Sequence, residues 1–583
     1  PFPAPRPITR TFIAMRRTLT LPLLLAILGA AACGDSPTEV VPGRNYRVGE
    51  IVMLNVNSSK ACEAPQIRNA RVVAVTNRAV VLADEQNPAG GFSDAEYEGF
   101  GRQFDSFVWP TITGAFGEPA DVDKNRQVLI FFTSAVNALT TEGSGEFVGG
   151  FFFARDLFPA NAEQQKDTPN LSLCAGSNFA ELFYMRVPDP SRPANVWSRE
   201  AVTRTTVGVL GHEFQHIINA SRRLFVVKTT GNNYDEAVWL NEGLSHIAEE
   251  LLFYAATGLS PRQNLTPQAL LANSTAQGAF FLFQYDNFAR LSRYLQEPER
   301  NSPYSDDDDL ATRGATWQFL RYAADRQGGT ESALLKKLVD ADLVGFANLR
   351  NALGTDLTEY FRDWSVSVYT DDAVATSPRH QQPSWHFRAL YPAIPGFNSR
   401  FPLRTRQLAN EFPETLTLDA GGSSYLRFGV TAAGAEIRSS VAGTNPSSTC
   451  QQTLALQVGQ VSPGFSLANG SLLCVQGAGE YTLIAFYGSQ VSAATLAGVT
   501  ITGRGVAPVL GPPNPSQSAF DVGSLRLAEP SSGVPDPDFE RRLRRAEREL
   551  ARLVPGAEIR PTRAAAAVAT DPSLLTLSVV RTK

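Results

Sequence analysis

The sequence predicts an α+β protein: a β-rich N-terminal region, a helical middle and a C-terminal β-sandwich. Three observations point that way. Short β-type runs crowd the first part, at 51–56 (IVMLNV), 70–75 (ARVVAV) and 79–83 (AVVLA). Apolar residues recur at helical spacing over 198–256 and again over 311–370. After Pro383 the pattern returns to alternation, as at 415–418, 454–458 and 481–486.

At 583 residues the chain is too long for a single core. Its 43% apolar and 19% charged residues suit a folded chain, and 45 glycines with 38 prolines call for many turns. The formal charge is −5 and there is no basic block, which argues against a nucleic-acid partner.

The elements follow in chain order. Residues 1–14 precede Met15 and read as an over-extended start. Residues 15–32 carry two arginines and an apolar run from Leu19 to Ala32, shorter than the ~20 residues of a membrane span but suited to a signal peptide. Ala30-Ala31-Ala32-Cys33 followed by Gly34 resembles a bacterial lipobox, so the expectation is export with a lipid anchor on Cys33, in the cell envelope. The alternative is a plain signal peptide cut near Ala32, releasing the chain. Without Cys33, four cysteines remain, an even number in an exported chain, and proximity suggests the pairs Cys62–Cys174 and Cys450–Cys474. Residues 33–44 read as linker and 45–115 as the β-rich region, with a helix over 93–109. A buried strand covers 127–132, the sandwich 390–506, and a linker with a short helical tail (541–553) 507–583.

The chemistry concentrates in 198–250. His212-Glu213-x-x-His216 places two histidines four apart on one helix face, where both can hold one Zn²⁺, with Glu213 beside the first as a candidate general base. Val207, Leu210, Phe214, Ile217 and Ile218 form the opposite, apolar stripe. A hydrolytic zinc site keeps three protein ligands and an open position, so a carboxylate must arrive from elsewhere. Glu242, in Trp239-Leu-Asn-Glu-Gly243, and Glu236 compete for that place.

HExxH followed by WLNEG resembles the gluzincin pattern. HEFQHIIN with WLNEGLSHIAEE is similar to the hyicolysin-like neutral zinc metallopeptidases. The resemblance implies a zincin-like peptidase domain over 116–375, one Zn²⁺ per chain on His212, His216 and Glu242, and Glu213 as catalytic base. It also implies protein or peptide substrates. Thermolysin-like enzymes have an acid four residues past the ligand glutamate; here that position is His246, which could support a ligand, touch substrate or simply sit on the helix face, the last being preferred, with Glu249 and Glu250 as exposed charges. Tyr304 is taken as the catalytic donor to the oxyanion, with Arg313 as the other candidate. The 306–309 aspartate run reads as a solvated loop. Asp121, Asp123 and Asn125 alternate as calcium ligands do, but no Gly at the sixth or Glu at the twelfth position follows, so an Asx-rich turn is preferred and Ca²⁺ is the alternative. The rival from another class is a non-catalytic surface-binding lipoprotein with a vestigial zinc helix. Oligomeric state is not readable.

Overall fold

A computed structural model describes residues 43–58, 62–140, 147–192, 197–272, 274–394, 397, 400–441, 447–466, 470–509 and 571–583. The expected signal peptide, Cys33 and the 541–553 tail helix lie outside these. Among the described residues no helix is long and apolar enough to cross a membrane.

The N-terminal β-type runs become one six-stranded sheet. Its strands are β1 (Ile51–Asn55), β2 (Ile67–Val75), β3 (Ala79–Asp84), β4 (Val128–Phe132), β5 (Gly150–Phe152) and β6 (Leu182–Met185), in the order β1-β2-β3-β4-β6-β5. β3, β4 and β6 run parallel, while β5 returns antiparallel on the edge. All five residues of β4, VLIFF, are buried, which is why that run carries no alternation: a parallel centre is covered on both faces. The sheet thus crosses the 115/116 boundary expected from composition. The helix expected over 93–109 runs further, as α1 (Asp94–Gln103), a π-helical turn at Phe104–Val108 and α2 (Trp109–Phe116). Cys62 and Cys174 are disulfide-bonded, as are Cys450 and Cys474.

Helices dominate the middle. α3 (Arg199–Ser221) opens with Ser198 accepting a hydrogen bond from the Ala201 amide, and packs on β5 and β6. Its stripe residues Leu210, Phe214, Ile217 and Ile218 are fully buried. α4 (Val238–Thr257) lies against α3 and ends at Gly258, whose φ of +70° suits a left-handed cap. Two motif glycines set the spacing. A Cβ on Gly211 would sit 2.6 Å from Leu252 of α4, and one on Gly243 2.5 Å from Thr316. The helices can therefore approach as they do only without those side chains. The Ser274–Phe283 helix and α6 (Leu310–Arg326) complete the packing around α4, α5 (Tyr285–Gln296) packs against α6, and α7 (Leu357–Thr370) leads toward the C-terminal sheets.

The aspartate run is not a solvated loop. Asp308 is 5% exposed and pairs with Arg313, Asp309 caps α6 by accepting from the Thr312 amide at 2.8 Å, and Asp306 accepts from Ser492. These carboxylates are spent on a helix start and on an inter-element contact.

The C-terminal region holds a five-stranded and a six-stranded sheet. In the five-stranded sheet, Glu414–Asp419 and Ala435–Ser440 alternate buried and less buried residues. In the other, β7 (Ser423–Val430) and β8 (Gly479–Tyr487) are buried almost throughout, because α7 packs on the outer face and Tyr425 donates to the Ser365 carbonyl at 2.9 Å. One continuous apolar core joins this region to the helices. The tail expected over 507–583 ends differently. Leu575–Arg581 is a strand, β9, paired antiparallel with β8 from Tyr481↔Arg581 to Tyr487↔Leu575. LTLSVVR has the alternation and β-branched content to fill that position.

Candidate metal centre

α3 and α4 bring three donor side chains together. His212 and His216 come from the middle of α3, one turn apart, and Glu242 from the first turns of α4. His212 Nε2 and His216 Nε2 are 3.2 Å apart. Glu242 Oε2 lies 3.5 Å from the first, and Glu242 Oε1 3.6 Å from the second. Three donors arranged tetrahedrally at ~2.0–2.2 Å from one ion stand about 3.3–3.6 Å from each other, so the residues fit a zinc ion. All three side chains are buried, and they form one of two His-His-Glu groups among the described residues that could hold a metal; the other, His212, His246 and Glu249, shares His212.

Both histidines are held by their other ring nitrogen, which leaves Nε2 for the ion. His212 Nδ1 is 2.9 Å from Glu249 Oε1. His216 Nδ1 is 3.2 Å from Asn241 Oδ1 and 3.1 Å from Ser245 Oγ. Asn241 Oδ1 also accepts from Asn219 Nδ2 at 2.8 Å, and Ser245 donates to Gln215 at 2.8 Å. The polar letters of HEFQHIIN and WLNEGLS are thus one hydrogen-bonded seam between two helices. Burial disfavours the charged form of His212, yet Glu242 and Glu249 outweigh it and push its pKa up to about 10. The pocket is built around positive charge.

Glu249 and Glu250 correct the sequence reading, since neither is an exposed helix charge. Glu249 contacts His212, His246 (3.2 Å) and Arg290 (3.5 Å). Burial opposes its ionisation, but His246, Arg290 and His212 hold its carboxyl well below the usual range. Glu250 is fully buried and accepts from Arg321, Trp317 and Trp385. His246 is fully buried too, its ring centroid 4.9 Å from that of His212. Burial, reinforced by Arg290, drops its pKa to about 3 and keeps it neutral. Seven residues separate Glu249 from Glu242, two helical turns, so the orienting acid stands one turn beyond the position where sequence reading looked for it.

The competitors separate cleanly. Glu236 is 1% exposed, and both its oxygens are engaged, by Arg223 (2.6 Å), Asn348 (2.7 Å) and the Ala237 and Gly345 amides. It locks the loop before α4 and is not among the converging donors. Tyr304 also moves out of the site. Its hydroxyl donates to the Ser489 carbonyl at 3.0 Å, and its ring packs on Phe346 and Phe361. Aromatic packing between the helices and the C-terminal sheet has claimed it, so the expected catalytic role is withdrawn. Arg313, the other candidate, lies with Nη1 2.9 Å from Glu242 Oε2 while Asp308 holds its Nε.

Glu213 is 6% exposed and, with His212, Glu249 and Arg313, lines a cleft whose other walls include Phe147, Gly150 at the start of β5 and Tyr285 of α5. No sequence signal marked these wall residues, because they come from separate elements.

Among known proteins, the chain is similar to the neutral metalloprotease ShpI of Staphylococcus hyicus, 31% identical over 160 residues. The match covers 27% of this chain and 31% of that protein, so it spans about a third of the relative's length. No family model matches the chain. The resemblance to neutral metallopeptidases read from the two motifs therefore stands on sequence similarity and on the His212, His216, Glu242 group together.

Proposed function

We propose that the chain is an exported zinc endopeptidase in which His212, His216 and Glu242 hold one metal ion and Glu213 is the general base. The observation that carries this reading is the convergence of the three buried donors at 3.2–3.6 Å, with Glu213 beside them on an open cleft. Zinc bound there would supply a Lewis acid that polarises the scissile carbonyl and acidifies water. Glu213 takes the proton of the attacking water and passes it to the leaving amine, which must depart protonated. Glu249, Asn241 and Ser245 fix the two imidazoles so that Nε2 of each faces inward. Arg313 offsets the charge of Glu242.

The decisive experiment is casein hydrolysis by purified residues 34–583, before and after chelation and after return of zinc. Cleavage that chelation abolishes and zinc restores supports the assignment. Zinc-loaded protein that cleaves nothing across a broad peptide library sinks it and leaves the binding-lipoprotein reading. Export and anchoring rest on the short apolar run ending at Cys33. Fatty-acid labelling should mark the wild type and not Cys33→Ser; equal labelling of both removes the anchor.

A further inference from the structure

A second group of carboxylates lies where the loop after α2 runs into β4. Asp121 and Asp123 come from that loop. Glu181 immediately precedes β6 and is carried beside them because β6 pairs in parallel with β4. One oxygen from each lies within 4.8 Å of the others. Asp123 is 1% exposed and Glu181 2%. Glu181 Oε1 accepts from the Val122 amide at 2.7 Å, while its Oε2 is buried with no hydrogen-bond partner. Lys124, in the same loop, reaches Asp167 instead, at 2.7 Å, and among the described residues none of the three carboxylates forms an ion pair. Two buried carboxylates and a third beside them, with one oxygen unpartnered, are costly to keep charged, so they either take up protons or are joined by a cation. Asp121 and Glu181 line a cavity of about 320 Å³, which gives an ion a way in.

We propose that Asp121, Asp123 and Glu181 form a calcium site, separate from the zinc cluster, that ties the 117–127 loop to the start of β6. The donors are all carboxylate oxygens, with no imidazole or thiolate, which selects a hard cation. Calcium takes six to eight oxygens in flexible geometry and accepts several protein carboxylates at once, whereas magnesium keeps most of its waters, so three carboxylates from two separate segments favour calcium. Local Asx turns at Asp123 and Asn125 shape the loop, but the ligand that makes the site is Glu181, from a distant strand. The same loop seats the end of α3. The Ala120 amide donates to Ser221 Oγ at 3.1 Å, and Arg222 Nη1 donates to the Glu118 carbonyl at 2.7 Å. Calcium therefore stabilises the platform under the zinc helix without touching its histidines.

The test uses the full chain stripped of metal and reloaded with one equivalent of zinc. It is titrated with CaCl2 and, separately, MgCl2, reading heat and thermal midpoint. Expected are one site that takes calcium in preference to magnesium and a midpoint that rises by a few degrees at ~100 times Kd. Asp121→Asn, at an exposed position, and the nearly isosteric Glu181→Gln should each weaken calcium binding by roughly tenfold or more and leave zinc content unchanged. Calcium binding as tight in both variants as in wild type overturns the proposal. So does a wild type that takes up no calcium or prefers magnesium. Should Glu181→Gln fail to fold, Asp121→Asn decides alone.

Discussion

Glu249 Oε1 stands 2.9 Å from His212 Nδ1, across the interface of the two helices that carry the proposed zinc donors. The other Glu249 oxygen is 3.2 Å from His246 Nδ1 and 3.5 Å from Arg290 Nη1. One carboxylate therefore fixes the ring of a proposed ligand and is itself fixed from two sides. Such an arrangement orients the imidazole, settles which nitrogen carries the proton, and raises its basicity toward the ion.

Glu249→Ala should accordingly weaken zinc binding by about 10–100-fold, as lost partners of metal-bound histidines do. Competition against a chromophoric chelator measures it. Glu249→Gln, which keeps an acceptor oxygen, should fall between the two. Unchanged affinity in the alanine variant would show that the His212 ring holds its place without Glu249.

Glu236 and Glu242 should fail in opposite ways. Glu242→Gln removes a charged donor from the cluster, so zinc is lost while the fold survives. Glu236→Gln leaves the buried Arg223 guanidinium without its carboxylate. That should cost about 3–5 kcal/mol of stability with zinc retained. Metal analysis beside denaturant unfolding separates the two, and the reverse pattern would reassign the third ligand.

How much of this was legible in the sequence follows from where each residue's partners lie. His212, Glu213 and His216 needed only helical periodicity, because their geometry is local to α3. Glu242 needed the spacing of two helices and the motif context, and Gly211 and Gly243 allow the close approach that brings it beside the two histidines. Glu249, Glu250 and His246 were misread as helix-face residues. Charge and histidine on a helix look solvated from sequence, and only packing shows that α3, α6 and the Ser274–Phe283 helix cover α4 while Arg290 of α5 reaches Glu249. β9 was missed because its partner, β8, lies some hundred residues earlier, and pairing at that distance leaves no local trace.

Tyr304 offers a direct check on the withdrawn role. Tyr304→Phe loses the hydrogen bond to the Ser489 carbonyl and nothing at the zinc cluster. Stability should drop by about 0.5–1.5 kcal/mol, and kcat/KM should stay within roughly twofold of wild type. A fall of two orders of magnitude in kcat with stability intact would return the tyrosine to the chemistry.

Glu213→Gln separates a working hydrolase from a relic that merely holds metal. Glu213 is adjacent to His212 and opens on the cleft but is not among the three converging donors. The substitution is nearly isosteric, so zinc content and thermal midpoint should barely move. What disappears is the proton acceptor. General-base loss costs on the order of 10²–10⁴-fold in rate, and the upper end is expected because the same carboxylate both activates the nucleophile and protonates the leaving amine. The loss should fall on kcat far more than on KM, since an amide at this position binds substrate about as well as a carboxylate but cannot take up the proton. A Glu213→Gln protein that cleaves peptides about as fast as wild type would remove the hydrolytic role from this site, whatever metal it holds.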